Sequence, residues 1–270
     1  MKKELYTLTT LSNLHVGSGD INFDIIDKQV QRDAITTLPT IHSSSLKGAF
    51  REASGEENQY TKYIFGPENK DNDAHQTGAF HFFEASLLSR PVRSNKKPYF
   101  CATSVGVIEN FLAYLDDFDI SFDEELKESL AKLSKEKVSK GSPLIFENIE
   151  GVILEDEKAK FSSLDVSVLN DFLGENLALF EDEDFKALTL PVLARNYLEE
   201  GVSKNLWYEE VVPKKSKFYF VVAKPTNIDN ADYKENIAKY EARFDNTKSV
   251  QFGANKSIGY GFSKVQKVSL

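Results

Sequence analysis

Apolar residues recur in two rhythms along this 270-residue chain. Residues 4–12, ELYTLTTLS, mix β-branched and aromatic positions with rough alternation and predict a strand. Leu46, Ala49, Phe50 and Ala53 then follow the i, i+3, i+4, i+7 spacing of a buried stripe, predicting a helix over 44–54. Residues 79–88, AFHFFEASLL, read as a buried strand. The same order returns near the end. KFYFVVA at 217–223 predicts a strand, and Asp229 or Asn230 caps a helix carrying Tyr233, Ile237, Tyr240 and Phe244 on one face. Residues 258–268, with Val265 and Val268, supply a closing strand. Two strand–helix–strand halves predict an α+β fold with a ferredoxin-like core of the kind RNA-recognition domains use.

Between the halves, at about 100–200, the period is mostly helical: Leu126, Leu130 and Leu133 form one stripe, Val168, Leu169, Phe172 and Leu173 another. The expectation is one domain over 1–270, its core drawn from about 1–99 and 201–270, with a largely helical insertion. No run of 18 apolar residues and no signal-type segment is present, so a cytoplasmic protein with no membrane partner is expected. The single cysteine, Cys101, excludes an internal disulfide and reads as a packed or idle thiol.

The net charge of −9 argues at first against a nucleic-acid partner. Its distribution reverses that. Residues 1–115 carry 12 Lys/Arg against 13 Asp/Glu, 116–186 carry 8 against 20, and 187–270 carry 13 against 9. The acidity belongs to the insertion, where it is a solvated face or a surface that repels nucleic acid, and the flanks keep room for a basic groove.

The polar passage 15–51 is the first candidate site. Gly17-Ser18-Gly19 is either a plain tight turn or one whose N–H groups converge on a phosphate. Ser43-Ser44-Ser45 supplies helix caps, with Lys47 and Arg51 four apart on the polar face, either solvated or facing an anion at the helix N-terminus. Asp20, Asp24, Asp27, Lys28, Arg32 and Asp33 crowd the loop between. A second glycine-rich loop, GANKSIGYG at 253–261, holds Lys256, and Lys214, Lys215 and Lys217 precede it in sequence. A ferredoxin-like arrangement brings both loops to one side of the sheet.

LHVGSGD, IIDKQVQRDAITTLP with SSSLKGAFR, PVRS at 91–94, LWYEEVVP at 206–213 and QFGANKSIGYG come in the order in which they resemble the RAMP-superfamily backbone subunit of type III-B CRISPR interference complexes, the Cmr complexes. The resemblance spans nearly the whole chain. It implies a modified ferredoxin-like palm, a protruding thumb β-hairpin, and several copies assembling as a filament along one CRISPR RNA with other Cmr-complex subunits. It also implies endonucleolytic cutting of the complementary target single-stranded RNA at regular intervals. The family's essential aspartate precedes the QR dipeptide, which makes it Asp27. Its histidine matches His15, and a glutamate of the LWYEE motif matches Glu209 or Glu210. Guide-RNA backbone contacts fall on Gly17, Ser18, Gly19, Arg32, Ser45, Lys47 and Arg51, and on Gly253, Asn255, Lys256, Gly259 and Gly261. Val30 stands where proline is expected, and Asp20 and Asp24 are additional acids.

The implied chemistry is transesterification, a 2′-hydroxyl attacking the adjacent phosphate in line while the 5′-oxygen leaves. An aspartate, ordinarily near 3.9, is a poor base at neutral pH, so Asp27 is expected to hold a transient divalent ion, Mg²⁺ or Mn²⁺, or to orient the 2′-hydroxyl. His15 is either the proton-transfer group or a brace for the GSG turn. His42, His75 and His81 read as structural or surface residues, and Trp207 and Tyr208 as core or interface aromatics that could also stack on a base. Two other readings use the same motifs: an RNA-coating subunit without catalysis, and a stand-alone enzyme binding a small phosphate ligand.

Overall fold

Lys2–Thr10 form β1 and Ser43–Ser54 form α1, followed by α2 (Gln59–Phe65) and β2 (Ala85–Val92). The computed structural model describes residues 1–19, 25–55, 59–67, 77–226, 231–242 and 249–268. Asp20, Asp24, His75, Asp229, Asn230 and Phe244 lie outside them. β3 (Phe100–Ser104), α3 (Val105–Asp117), α4 (Glu124–Leu133) and β4 (Leu177–Phe180) belong to the insertion. A two-stranded hairpin follows, β5 (Val192–Glu199) and β6 (Val202–Glu210), then β7 (Lys217–Lys224), α5 (Ala231–Ala242), β8 (Ser249–Gln251) and β9 (Phe262–Lys267).

β7 pairs antiparallel with β1 on one side and β2 on the other, and β9 pairs antiparallel with β1. The fourth, first, third and second strands of the two halves therefore lie in that spatial order, the split βαβ arrangement expected from the sequence. β1 and β7 register Tyr6 opposite Phe220 and Leu8 opposite Phe218, and the two aromatic rings stack at 5.4 Å. α1 packs on this sheet through Leu46, Ala49 and Phe50, whose ring meets Phe220 at 5.8 Å and Phe252 at 5.5 Å. Ala53, the fourth member of the expected stripe, is exposed, and Ser54 is buried in its place.

Two elements differ from the sequence pattern. The run 79–88 is two strands, His81–Phe82 on β7 and the start of β2, with His81 exposed. The insertion is helical only in part, since β3, β4, Leu144–Ile145 and Lys160–Phe161 extend the palm sheet beyond β2. FCATS and LALF are short, wholly buried runs, for which alternation gives no signal. The closing strand starts at Phe262, because Lys256–Ile258 make a 3₁₀ turn.

The hairpin stands apart from the palm sheet. Glu200 and Gly201 both have positive φ, 50° and 80°, the left-handed pair that matches a two-residue turn to strand twist. Most of its outer residues are exposed, whereas Glu209 and Glu210 at its base are buried.

Candidate functional site

The chain leaving β1 passes Asn13, His15 and Gly17 and is fixed on three sides. Leu14 N–H donates to the Val212 carbonyl at 2.8 Å, Gln31 N–H to the Val16 carbonyl at 2.8 Å, and Ala254 N–H to the His15 carbonyl at 2.9 Å. The early glycine segment, the QR strand and the late glycine loop thus meet at one place.

The late loop closes only because two of its residues lack a Cβ. A Cβ on Gly253, at φ +74°, would lie 2.2 Å from the His15 carbonyl oxygen, and one on Gly261, at φ +77°, would lie 1.9 Å from that of Phe252. Asn255 and Gly259 are also left-handed, and between them Lys256 reaches α1, its Nζ donating to Glu52 at 2.6 Å.

Gln31 ties the first loop to the helix. Its Nε2 donates to the Gly17 carbonyl at 3.2 Å and the Ser45 hydroxyl at 2.9 Å, while its Oε1 accepts the His42 N–H at 2.8 Å. α1 begins at Ser43 with His42 as its uncapped N-cap, so the three serines form the first turn and do not cap it. Leu46 N–H to the His42 carbonyl is the first helical bond, which leaves the N–H groups of Ser43, Ser44 and Ser45 outside the ladder at the positive end of the helix. Lys47, half-buried one turn in, has its pKa lowered by burial and then by Arg51, so its charge is stabilised by an incoming anion. Ser18 N–H donates to the Gln29 carbonyl at 3.0 Å, which commits one donor of the expected GSG cradle to the protein. Gly19 has φ +87°.

The two glutamates of β6 are interior groups. In a strand their side chains take opposite faces, and each face is covered here. On one, Glu209 accepts from Arg195 Nε at 3.1 Å and from Asn255 Nδ2, and Arg195 lies over the Tyr260 ring at 4.6 Å, joining hairpin to glycine loop. On the other, Glu210 accepts from Arg32 and from the Val30 N–H at 3.1 Å, while its backbone N–H donates to the Lys28 carbonyl at 2.9 Å. Only 2% and 4% of these residues is exposed, and their carboxylates hold the hairpin base to the palm. Arg32 is likewise engaged, by Glu210 and by the Thr37 carbonyl at 2.9 Å. His15, 4% exposed, donates from Nδ1 to the Glu210 carbonyl at 2.7 Å and lies under Gly17, so of its two roles the structure supports the brace.

Asp27 is different. It is exposed, and its Oδ2 accepts the Tyr208 N–H at 2.7 Å; Lys28 N–H answers with a 3.1 Å bond to the Tyr208 carbonyl, and Lys28 Nζ lies 5.0 Å from the Trp207 ring centroid. Its second oxygen, Oδ1, has no partner among the described residues. No group of three or more His, Cys, Asp or Glu able to hold a metal occurs among them either. One free carboxylate oxygen suits a weakly held divalent ion completed by substrate phosphates, and not an all-protein cage.

Sequence reasoning missed Gln31 and Arg195. Gln31 stood in the quoted QR dipeptide, but nothing in its identity shows that it bridges two loops. Cys101, as expected, is a packed thiol, its pKa pushed up to about 11 by burial. No helix among the described residues is long and apolar enough to cross a membrane.

A four-stranded split-βαβ palm with a detached thumb hairpin, and glycine loops gathered at the hairpin's base, defines the class: an α+β palm-and-thumb protein. The chain belongs to the RAMP superfamily, whose family model matches residues 7–264. It is 31% identical over 290 positions to the CRISPR system Cmr endoribonuclease Cmr4 of Pyrococcus furiosus, covering 98% of this chain and 95% of that one. The fold matches a chain of the type III-B Cmr-beta complex bound to cognate target RNA, with TM-score 0.79, 23% identity, and 99% and 98% of the two chains covered. It also matches oligomeric Cmr4 from Pyrococcus furiosus, with TM-score 0.72, 24% identity and both chains covered in full.

Proposed function

We propose that this chain is a backbone subunit of a type III-B Cmr ribonucleoprotein in the cytoplasm. Copies of it assemble along a CRISPR RNA with other Cmr-complex subunits, and each cuts the paired target single-stranded RNA. The observation that carries this reading is Asp27: an exposed carboxylate pinned to the hairpin base, in the segment that runs on to Gln31, which ties the first glycine loop to the first turn of α1. The likeness to a Cmr endoribonuclease over almost its full length supports the same conclusion.

In this reading the helix N-terminus, Lys47 and Arg51 hold the guide backbone, while Gly253 and Gly261 let the late loop close beside it. Asp27 orients the attacking 2′-hydroxyl through Oδ1, because Oδ2 is held by Tyr208. Alignment of that hydroxyl with the phosphate supplies much of the rate. A Mg²⁺ or Mn²⁺ ion bound at Asp27 would neutralise charge on the phosphate. His15, Glu209 and Glu210 act by positioning. One domain spanning 1–270 carries all of this.

Target cleavage in a complex reconstituted with a guide RNA tests the assignment. Asp27→Asn is expected to assemble normally and to leave target RNA intact. Undiminished cleavage by that variant would move the chain to the purely RNA-coating role.

A further inference from the structure

A cleft of about 700 Å³ lies on the far side of Asn13 from the glycine loops, between the insertion and the start of β7. Pro91, Pro191, Pro213 and Leu190 form apolar walls, and Arg93, Lys214 and Lys215 are exposed at its rim. The lining of the cleft also holds Arg90 and one acid, Glu155, which pairs with the Arg93 guanidinium at 2.6 and 2.8 Å and so leaves Arg90, Lys214 and Lys215 as the cations in excess, on a chain whose net charge is −9. Its size is that of ordinary small-ligand sites.

Three observations mark it as a built site. Arg90, 4% exposed, gives its terminal nitrogens to the Leu188 carbonyl at 2.7 Å and the Thr189 carbonyl at 3.4 Å, yet its buried Nε–H has no protein partner. Such an orphaned donor is uncommon in a buried place. Lys215 has a left-handed backbone at φ 74°, unusual for a side chain with a Cβ, and is held there by its N–H bond of 2.7 Å to the Thr10 carbonyl. That conformation sets its ammonium over the Tyr99 ring, 4.8 Å from the centroid and 2.7 Å from the hydroxyl. Asn13 joins this cleft to the first site: its carbonyl accepts the Gly261 N–H at 2.8 Å and its side chain accepts the Lys214 N–H at 3.3 Å.

The geometry points to a second phosphate-binding subsite that takes one nucleotide of single-stranded RNA, its phosphate between Lys214 and Lys215 and its base against the proline and Tyr99 wall. This rests on the RNA-binding reading above. The Asn13 bonds to Gly261 and Lys214 make the cleft a neighbour of the late glycine loop, which favours RNA over an acidic peptide.

Anisotropy of a short fluorescein-labelled oligouridylate with the full chain separates the possibilities. Lys214→Glu with Lys215→Glu is expected to weaken binding about tenfold and to reduce the slope of log affinity against log salt by about 0.7, the value for one single-strand phosphate no longer neutralised. Tyr99→Ala is expected to weaken it about fivefold with the slope unchanged. If both bind as the unaltered chain does, while Lys47→Glu with Arg51→Glu abolishes binding, the cleft is not an RNA subsite and the proposed function stands. If these variants lose affinity only for a polyglutamate peptide, the cleft docks an acidic protein and the inference fails. If the unaltered chain binds no RNA, both readings fail together.

Discussion

Asp27 accepts the backbone N–H of Tyr208 at 2.7 Å across 181 residues of sequence. The bond fixes the exposed carboxylate to the hairpin, so any movement of the thumb carries that group with it. It also separates two contributions of one side chain, charge and geometry. Asn in place of Asp27 keeps an acceptor for Tyr208, whereas Ala removes it. Both variants are expected to lose target cleavage; only Asp27→Ala should also increase hydrogen exchange at Tyr208 and Lys28. Equal exchange in the two would show that the bond does not order the loop.

Glu210 offers a test of positioning against catalysis. Glu210→Ala leaves the buried Val30 N–H without its acceptor and takes one partner from Arg32, which is exposed and keeps the Thr37 carbonyl, and is expected to cost about 1–3 kcal/mol in denaturant unfolding. Glu210→Gln retains an acceptor and is expected to cost less and to keep cleavage within about tenfold, since a positioning group leaves the chemical step in place. Complete loss of cleavage in a Gln variant that assembles normally would restore Glu210 to the catalytic set.

Gly253 makes the juncture of the two loops possible. Gly253→Ala forces a Cβ into the His15 carbonyl in a backbone conformation that alanine resists, and overpacking of this kind costs about 1–3 kcal/mol or more. The expected result is a lowered melting temperature together with weakened RNA binding. Alanine at Gly201, in the hairpin turn with no atom within 4 Å of the added Cβ, is the control: strain without a clash, and a smaller loss.

Much of this architecture could be read from periodicity, because strands and helices with one covered face write their period into the sequence. Leu46, Ala49 and Phe50 gave α1, and the apolar run before Lys224 gave β7. The convergence of the GSG and GANK segments followed from the topology those elements imposed. The strands of the insertion were not legible, since FCATS and LALF are covered on both sides. Nor was the inward orientation of Glu209 and Glu210, because their surroundings come from Arg195, Arg32 and Asn255, residues distant in sequence or on the opposite strand. A motif names a residue without saying which way it faces.

At the start of β1, the end of that strand away from His15, Glu4 lies buried among Lys2, Lys224 and Lys267, with the Tyr6 hydroxyl donating to it at 3.0 Å. Burial alone would raise its pKa, but the hydrogen bonds from Lys224, Lys267 and Lys2 outweigh it and hold the carboxyl well below its ordinary value of 4.5. A depressed folded-state pKa means stabilisation that is complete above 4.5 and drains as pH falls below it. Glu4→Gln is therefore expected to lose stability at neutral pH, by about 3 kcal/mol for a broken buried pair, and to show a shallower acid limb in a pH series of urea melts. An unchanged acid limb would mean that Glu4 does not contribute this linkage.

The thumb carries apolar groups that the monomer leaves uncovered: Tyr197, Leu198, Val202 and Leu206 are each more than half exposed. A hairpin with both strands outside the palm sheet gains little from such residues in isolation, and their retention on a protruding element suits an interface completed by another copy or subunit along the guide. Leu198→Asp with Val202→Asp should thus leave monomer stability within about 0.5 kcal/mol, as surface substitutions do. The same variant is expected to abolish formation of multi-copy complexes on a guide RNA, read by light scattering after size exclusion, while binding of one copy persists through the glycine loops. Normal filament assembly by the double variant would show that the hairpin's apolar surface has no part in joining the subunits.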